Sequence, residues 1–245
     1  LRDVSSDFNG FNMKIAVLRF PAANCDLDAL HVLRDVIHMN AELVWHRDFK
    51  ESRFDAAVLP GGFSYGDHLR GGVISAFSPA LKEVKRMAKD GRPVLGICNG
   101  FQTLTEAGLL PGALLRNQSL KFVCKWVQLK VTTIRTSFTR KFVRGDVFQV
   151  PIAHGEGNYF IPPEQLKELE DNEQIVFKYS DFKGNETPES NPNGSFDNIA
   201  GVCSPEGNVV GLMPHPERAS ERILNPFNNE KARLVFESMK EVLVR

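Results

Sequence analysis

The sequence predicts an α/β fold: a mostly parallel central sheet with helices on both faces, joined to a smaller antiparallel β portion. Three observations carry the prediction. Through the first half of the chain, short apolar runs rich in strand formers alternate with longer segments of helical spacing. Glycines punctuate these units, with Gly61 and Gly62 closing one strand-like run and Gly91 closing one helix-like segment. From about Lys121 the pattern changes to β-rich segments separated by turns.

Taken in order, "KIAVLRF" (14–20) reads as a buried strand, and "DLDALHVLRDVIHMN" follows with Leu27, Leu30, Leu33 and Ile37 at helical spacing. "AELVWHR" and "FDAAVLPGG" read as two further strands, and "PALKEVKRMAKDG" as a helix. "PVLGIC" makes another buried strand, and "FQTLTEAG" opens a helix after it. This β-α-β-β-α-β-α order gathers ligands at the carboxyl ends of the strands. Cys98 and the Gly61–Gly62 pair both fall at such ends. Further on, "KFVCKWVQLKVT" and "DVFQVPIAHG" predict antiparallel strands, and "GVCSPEGNVVGLM" a hairpin around Pro205 to Asn208. "NNEKARLVFESMKEVLV" predicts a closing amphipathic helix, and the polar residues 183–198 a loop. No internal repeat or interdomain linker is visible.

The 30 basic and 30 acidic residues balance, so no broad field favours nucleic acid or an acidic membrane. No apolar run approaches the roughly 18 residues of a membrane span, and the N-terminal residues carry no signal pattern. A soluble, cytoplasmic protein with small-molecule or protein partners is expected. Residues 1–12 precede the first Met, Met13, and read as an extension, native or an expression remnant. The four cysteines, Cys25, Cys98, Cys124 and Cys203, form no C-x-x-C pair, which argues against a zinc ribbon or a disulfide framework. The N-x-[ST] matches at Asn117, Asn185 and Asn193 read as chance.

"GICNGFQ" (96–102) joins the last apolar run to its helix. G-x-C-x-G at such a junction is the thiol form of the nucleophile elbow: a sharp turn lifts the side chain out of the sheet, and the helix N-terminus favours the thiolate. An inert buried cysteine is the alternative. The strand end, both glycines and the helix start together favour a nucleophile. Such a group needs a base and a residue to orient it. Among six histidines, His31, His38 and His46 fit solvated or packing roles. His215 precedes Pro216, which extends its backbone and sets Glu217 on the same face. The competing reading of "MPHPER" is a proline-rich turn with an incidental histidine.

"PGG" (60–62), "GICNGFQ" and "PHPE" (214–217) stand in the order and spacing of class I glutamine amidotransferases, and the chain from residue 13 to 245 resembles one domain of that family. The resemblance implies a flavodoxin-like sheet, Cys98 as nucleophile, His215 as base and acid, and Glu217 as its orienter. It also implies Gly62 and Asn99 N–H groups in an oxyanion hole, and Gly61, Gln102, His154 and Glu156 around bound glutamine. "AVLRFPAANCDLD", "LPGGFSYGDHLRGG", "LRNQSLKFVCKW" and "IAHGEGNY" are similar to the glutaminase-subunit branch that serves phosphoribosylformylglycinamidine synthase. In that branch Asn99 replaces the Leu common after the elbow cysteine, and Phe101 separates Gly100 from Gln102. The branch implies L-glutamine as substrate and no cofactor in this chain. It further implies a large synthase subunit carrying ATP and Mg, and a small bridging subunit.

The Gly61–Gly72 stretch lacks the G-K-[ST] ending of a nucleotide loop. An oxyanion loop with Asp67, His68 and Arg70 facing a partner is expected instead. His154 and Glu156 lack a third ligand, so no metal site is expected. The rival readings are an amidotransferase of another pathway, a redox or chaperone-like protein with a similar elbow, and a non-catalytic regulatory subunit.

Overall fold

A computed structural model describes residues 13–244; the extension expected over residues 1–12 lies outside them. The first half is built as the sequence predicts. β1 (Lys14–Arg19) leads to α1 (Asp26–His31), which runs on as one wide turn through Val36. β2 (Asn40–Trp45) and β3 (Ala56–Leu59) follow, and β3 stops where Pro60 has no N–H to continue the ladder. A short α2 (Val73–Ala76) precedes α3 (Pro79–Lys89). Ser78 caps α3 by accepting from the Ala80 N–H, and Gly91 turns the chain out with φ +77°. β4 (Val94–Ile97) then runs directly into α4 (Asn99–Glu106).

In the second half, β5 (Ala113–Leu115) pairs with β8 (Asn158–Phe160) as a separate two-stranded sheet. β6 (Val123–Val131) and β7 (Val147–His154) form the expected antiparallel pair. β10 (Ile199–Cys203) and β11 (Val209–Leu212) form the expected hairpin. α5 (Pro163–Asp171) and β9 (Ile175–Ser180) occupy a stretch to which the sequence reading assigns nothing. The closing helix α6 (Leu234–Val244) starts later than expected, after a 3-10 turn at Lys231–Arg233.

The main sheet has nine strands among the described residues, ordered β2-β1-β3-β4-β11-β10-β9-β6-β7. β2, β1, β3, β4 and β11 are mutually parallel, and the remaining pairings are antiparallel. The antiparallel portion therefore continues the parallel sheet. Ile15 to Leu18 and Ala56 to Leu59 are all fully buried. Successive strand residues face opposite sides, so both faces of the parallel part are covered. α1 packs against β1 and β2, and α4 against β3, β4 and β11. β7 is last in the strand order, yet its Pro151 carbonyl accepts the His215 N–H at 2.9 Å. The antiparallel end thus curls back over the carboxyl ends of the parallel strands. Among the described residues no helix is long and apolar enough to cross a membrane.

Candidate active site

Strand pairing assembles the site. Leu212 of β11 stands beside Ile97 of β4, and Leu59 of β3 beside Gly96. Because these strands are parallel, the residues just beyond them emerge together: Cys98 after β4, His215 after β11, Gly61 and Gly62 after β3. Cys25, beyond β1, joins the same cluster.

At the elbow, Cys98 adopts φ 50°, ψ −106°, far from the regions open to ordinary L-residues. The two neighbouring glycines are there for space. A Cβ on Gly100 would stand 2.0 Å from the Leu59 carbonyl oxygen, and one on Gly96 would stand 2.5 Å from Leu104 Cδ1 and 2.8 Å from the Gly100 backbone. Without those side chains, α4 lies close enough to the sheet for the turn to form. Cys98 is buried, and its sulfur faces the Ala153 carbonyl at 4.0 Å.

His215 and Glu217 are both 2% exposed, and the imidazole Nδ1 bonds the carboxylate Oε1 at 2.7 Å. The geometry differs from the extended dipeptide that the sequence predicts. His215 sits at φ −105°, ψ 85°, short of the extended region, and Pro216 begins a 3-10 turn that carries Glu217 back under the ring. Proline starts such a turn readily because it needs no N–H there. Burial opposes a charge on His215, but the Glu217 carboxylate and the facing Cys98 outweigh it, and the imidazole pKa is raised well above its ordinary value. Among the described residues, His215 Nε2 and Glu217 Oε2 are buried without a hydrogen-bond partner. The ring nitrogen opposite the carboxylate is thus free to exchange a proton.

Two backbone N–H groups beside the thiol have no acceptor in their own element. Gly62 forms a bridge with Ala23, in which Phe63 N–H donates to Ala22 O at 3.1 Å and Asn24 N–H to Gly61 O at 3.4 Å. The Gly62 N–H takes no part in it. Asn99 is the first residue of α4, where a helix supplies no acceptor. Gly62 itself has φ +152°, and a Cβ there would stand 2.7 Å from Ala23 Cα. Glycine is therefore required at this turn. Acyl transfer would call for a thiol, a carboxylate-backed imidazole and N–H donors for the oxyanion, and this cluster offers groups of each kind.

A family model described as a CobB/CobQ-like glutamine amidotransferase domain matches residues 12–241. The chain belongs to the glutamine amidotransferase family. Phosphoribosylformylglycinamidine synthase subunit PurQ of Methanosarcina acetivorans is 53% identical over 94% of this chain and 98% of its own length. The subunit of that name from Aquifex aeolicus is 53% identical over 86% of this chain and 93% of its own. Among solved structures, a chain in PurLQS from Thermotoga maritima superposes with TM-score 0.82 at 40% identity, over 94% of this chain and 99% of that one.

The other expected glutamine contacts of this amidotransferase lie close by but are occupied in different ways. Gly61 faces the site bare: a Cβ would stand 2.7 Å from His215 Cε1, 3.0 Å from Cys25 Sγ and 3.4 Å from Cys98 Cβ. Gln102 is buried; its Oε1 accepts from Asn99 Nδ2 at 2.9 Å and its Nε2 donates to Glu156 O at 2.7 Å. Glu156 is half-buried, and its Oε2 accepts the Gly71 N–H at 2.9 Å. His154 is enclosed; its Nδ1 donates to Asn117 Oδ1 at 3.1 Å, and Asn193 lies against its other nitrogen. Burial, then the His215 charge, push its pKa down to about 4. Through these contacts the ring supports the turn at 154–157. Asn117 and Asn193 are 0% and 2% exposed and hold that turn, so their sequons sit in the interior.

Asp67, expected to face a partner, is half-buried and accepts from Asn99 Nδ2 at 3.0 Å. Burial, with the Glu156 carboxylate adding to it, raises its pKa to about 6. His68 and Arg70 are exposed, and Arg70 pairs with Glu106 at 2.6 Å.

Sequence reasoning passes over Cys25, which is buried in the site. The carboxyl-end rule that singles out Cys98 would have found it, since it follows β1. Burial raises its pKa despite the facing His215. Cys25, His215 and Glu217 offer ligand atoms within 4.8 Å of one another. Two donors on one tetrahedral zinc, with bonds of about 2 Å, stand roughly 3.3 Å apart. The 2.7 Å between His215 Nδ1 and Glu217 Oε1 is the spacing of a shared proton.

Proposed function

We propose that this chain is the glutamine-hydrolysing subunit of a phosphoribosylformylglycinamidine synthase. The observation that carries the reading is the convergence of Cys98 and the His215–Glu217 pair, with Gly62 and Asn99 beside them, at adjacent strand ends. The PurQ relatives at 53% identity support the choice of pathway.

The Cys98 thiolate attacks the side-chain carboxamide carbon of L-glutamine. Negative charge develops on the carbonyl oxygen, and the Gly62 and Asn99 N–H groups stabilise it, by roughly 3 kcal/mol for each donor. His215, held by Glu217, protonates the departing nitrogen, and ammonia leaves a γ-glutamyl thioester on Cys98. His215 then takes a proton from water, which attacks the thioester and releases glutamate. The chain itself needs no cofactor for these steps. Ammonia passes to a larger partner subunit that binds ATP and Mg and converts formylglycinamide ribonucleotide to formylglycinamidine ribonucleotide, with a small third subunit bridging the two. Phe63, Leu69 and Phe122 are exposed beside the site, with the Phe63 and Phe122 rings 6.4 Å apart, and this apolar rim suits a docked subunit. Neither nucleic acid nor membrane enters the reaction, and the cytoplasm is the compartment that fits it.

The test is product formation by the reconstituted complex supplied with glutamine or with ammonium salt. Cys98→Ala abolishes the first and keeps the second. A Cys98→Ala complex that still used glutamine would refute the reading.

A further inference from the structure

We propose that the Asn99 side chain is a positioning residue that joins the two halves of the oxyanion hole, fixing the loop after β3 to the start of α4. The inference rests on the acyl-transfer reading of the site and assigns a side chain which that mechanism leaves unused, since the mechanism needs only the Asn99 N–H.

Asn99 is 3% exposed, and its amide is saturated. Oδ1 accepts from the Ser64 N–H at 3.1 Å and from the Ser64 hydroxyl. Nδ2 donates to Asp67 Oδ1 at 3.0 Å and to Gln102 Oε1 at 2.9 Å. Two of its three partner residues therefore belong to the loop that begins at Gly61, and the third to its own helix. Two hydroxyls extend the tie: Thr103 Oγ1 donates to the Asn99 carbonyl at 2.9 Å and accepts from Ser75 Oγ at 2.7 Å.

The loop needs such a tie. Tyr65, Gly66, Asp67 and Leu69 have φ of 57°, 71°, 50° and 74°, and three of these four carry side chains that disfavour the left-handed region. A run of this kind persists where surrounding contacts over-determine it. Asn99 grips it at both ends of the segment Ser64–Asp67. Gly62, the other proposed oxyanion donor, lies two residues before Ser64. Distance between the two N–H groups is thus set by one amide side chain, whose own backbone supplies one of them. Leucine at this position could make none of the four bonds.

The test uses the reconstituted complex. Asn99→Leu should lower kcat with glutamine by about 10²-fold, the scale of losing one oxyanion donor, while KM changes little. Ammonium-dependent synthesis and the rate of Cys98 alkylation by iodoacetamide should stay at wild-type values, because the partner, thiol and imidazole are intact. A second pair of variants reverses the polarity of one bond. Asn99→Asp sets its carboxylate against both Asp67 Oδ1 and Gln102 Oε1 and should be impaired, whereas adding Asp67→Asn lets residue 67 donate to residue 99, leaves only the Gln102 contact unmade, and should recover part of the loss. Unchanged kcat in Asn99→Leu, a rise in KM alone, parallel loss of alkylation, or no recovery in the double variant would each overturn the proposal. Its failure is separable from that of the proposed function, which turns on Cys98→Ala.

Discussion

Leu212 and Ile97 stand side by side in parallel at the carboxyl ends of β11 and β4, and that single pairing brings His215 to Cys98 across a long separation in sequence. A side chain mounted just beyond the end of a central, fully buried strand has little freedom. Changes that loosen this strand end should therefore act on folding first and on chemistry second.

Gly100→Ala is the sharpest case. The added methyl would meet the Leu59 carbonyl at 2.0 Å, and both are backbone held in the sheet and the elbow. Overpacking of this kind should destabilise the chain by about 3 kcal/mol. Urea denaturation should show a lower midpoint, whereas Gly91→Ala, with open space around its Cβ position, should suffer only from its positive φ.

Glu217→Gln removes the carboxylate that holds the His215 charge. The imidazole pKa should fall, so the alkaline limb of kcat/KM should move to lower pH. By analogy with amide substitutions in serine triads, kcat should drop by roughly 10² to 10⁴-fold. A pH–rate profile of the complex measures both effects.

Acid stability should depend on His154. Its folded pKa is pushed down to about 4 from the ordinary 6.5, so the unfolded chain binds the proton more readily than the folded one. Stability is then full above pH 6.5 and is lost as pH falls toward 4, by about 3 kcal/mol for this residue. Chemical denaturation across that window should show a smaller slope in His154→Gln.

Cys25 provides a control on the identity of the nucleophile. It faces His215 but precedes a six-residue helix and has no elbow behind it. Cys25→Ser should retain glutamine-dependent turnover within a fewfold of wild type. Steady-state kinetics of the complex will measure it.

The sequence exposes what is local and hides what depends on distant pairing. The elbow was legible because glycine, cysteine and helix start are contiguous, and the hairpin of β10 and β11 because its turn is short. Ser64 as the partner of Asn99 was not legible, since their contact depends on β3 lying beside β4. Cys25 was legible by the carboxyl-end rule, since it follows β1, but its place beside His215 depends on β1 pairing with β3. The 3-10 turn at Pro216 replaced an expected extended segment because proline tolerates both backbones and packing against β7 decides. α5 carries one buried residue, Leu169, and so has no apolar stripe to announce it.

Cys98 as the nucleophile is tested by inactivating the wild-type complex with a diazoketone analogue of glutamine and locating the adduct by peptide mass spectrometry. The diazoketone is recognised as glutamine and alkylates the attacking sulfur with loss of nitrogen gas. One adduct per chain is expected, on the peptide containing Cys98, with protection by excess glutamine. An adduct on Cys25, or none on Cys98 in fully inactivated enzyme, would contradict it.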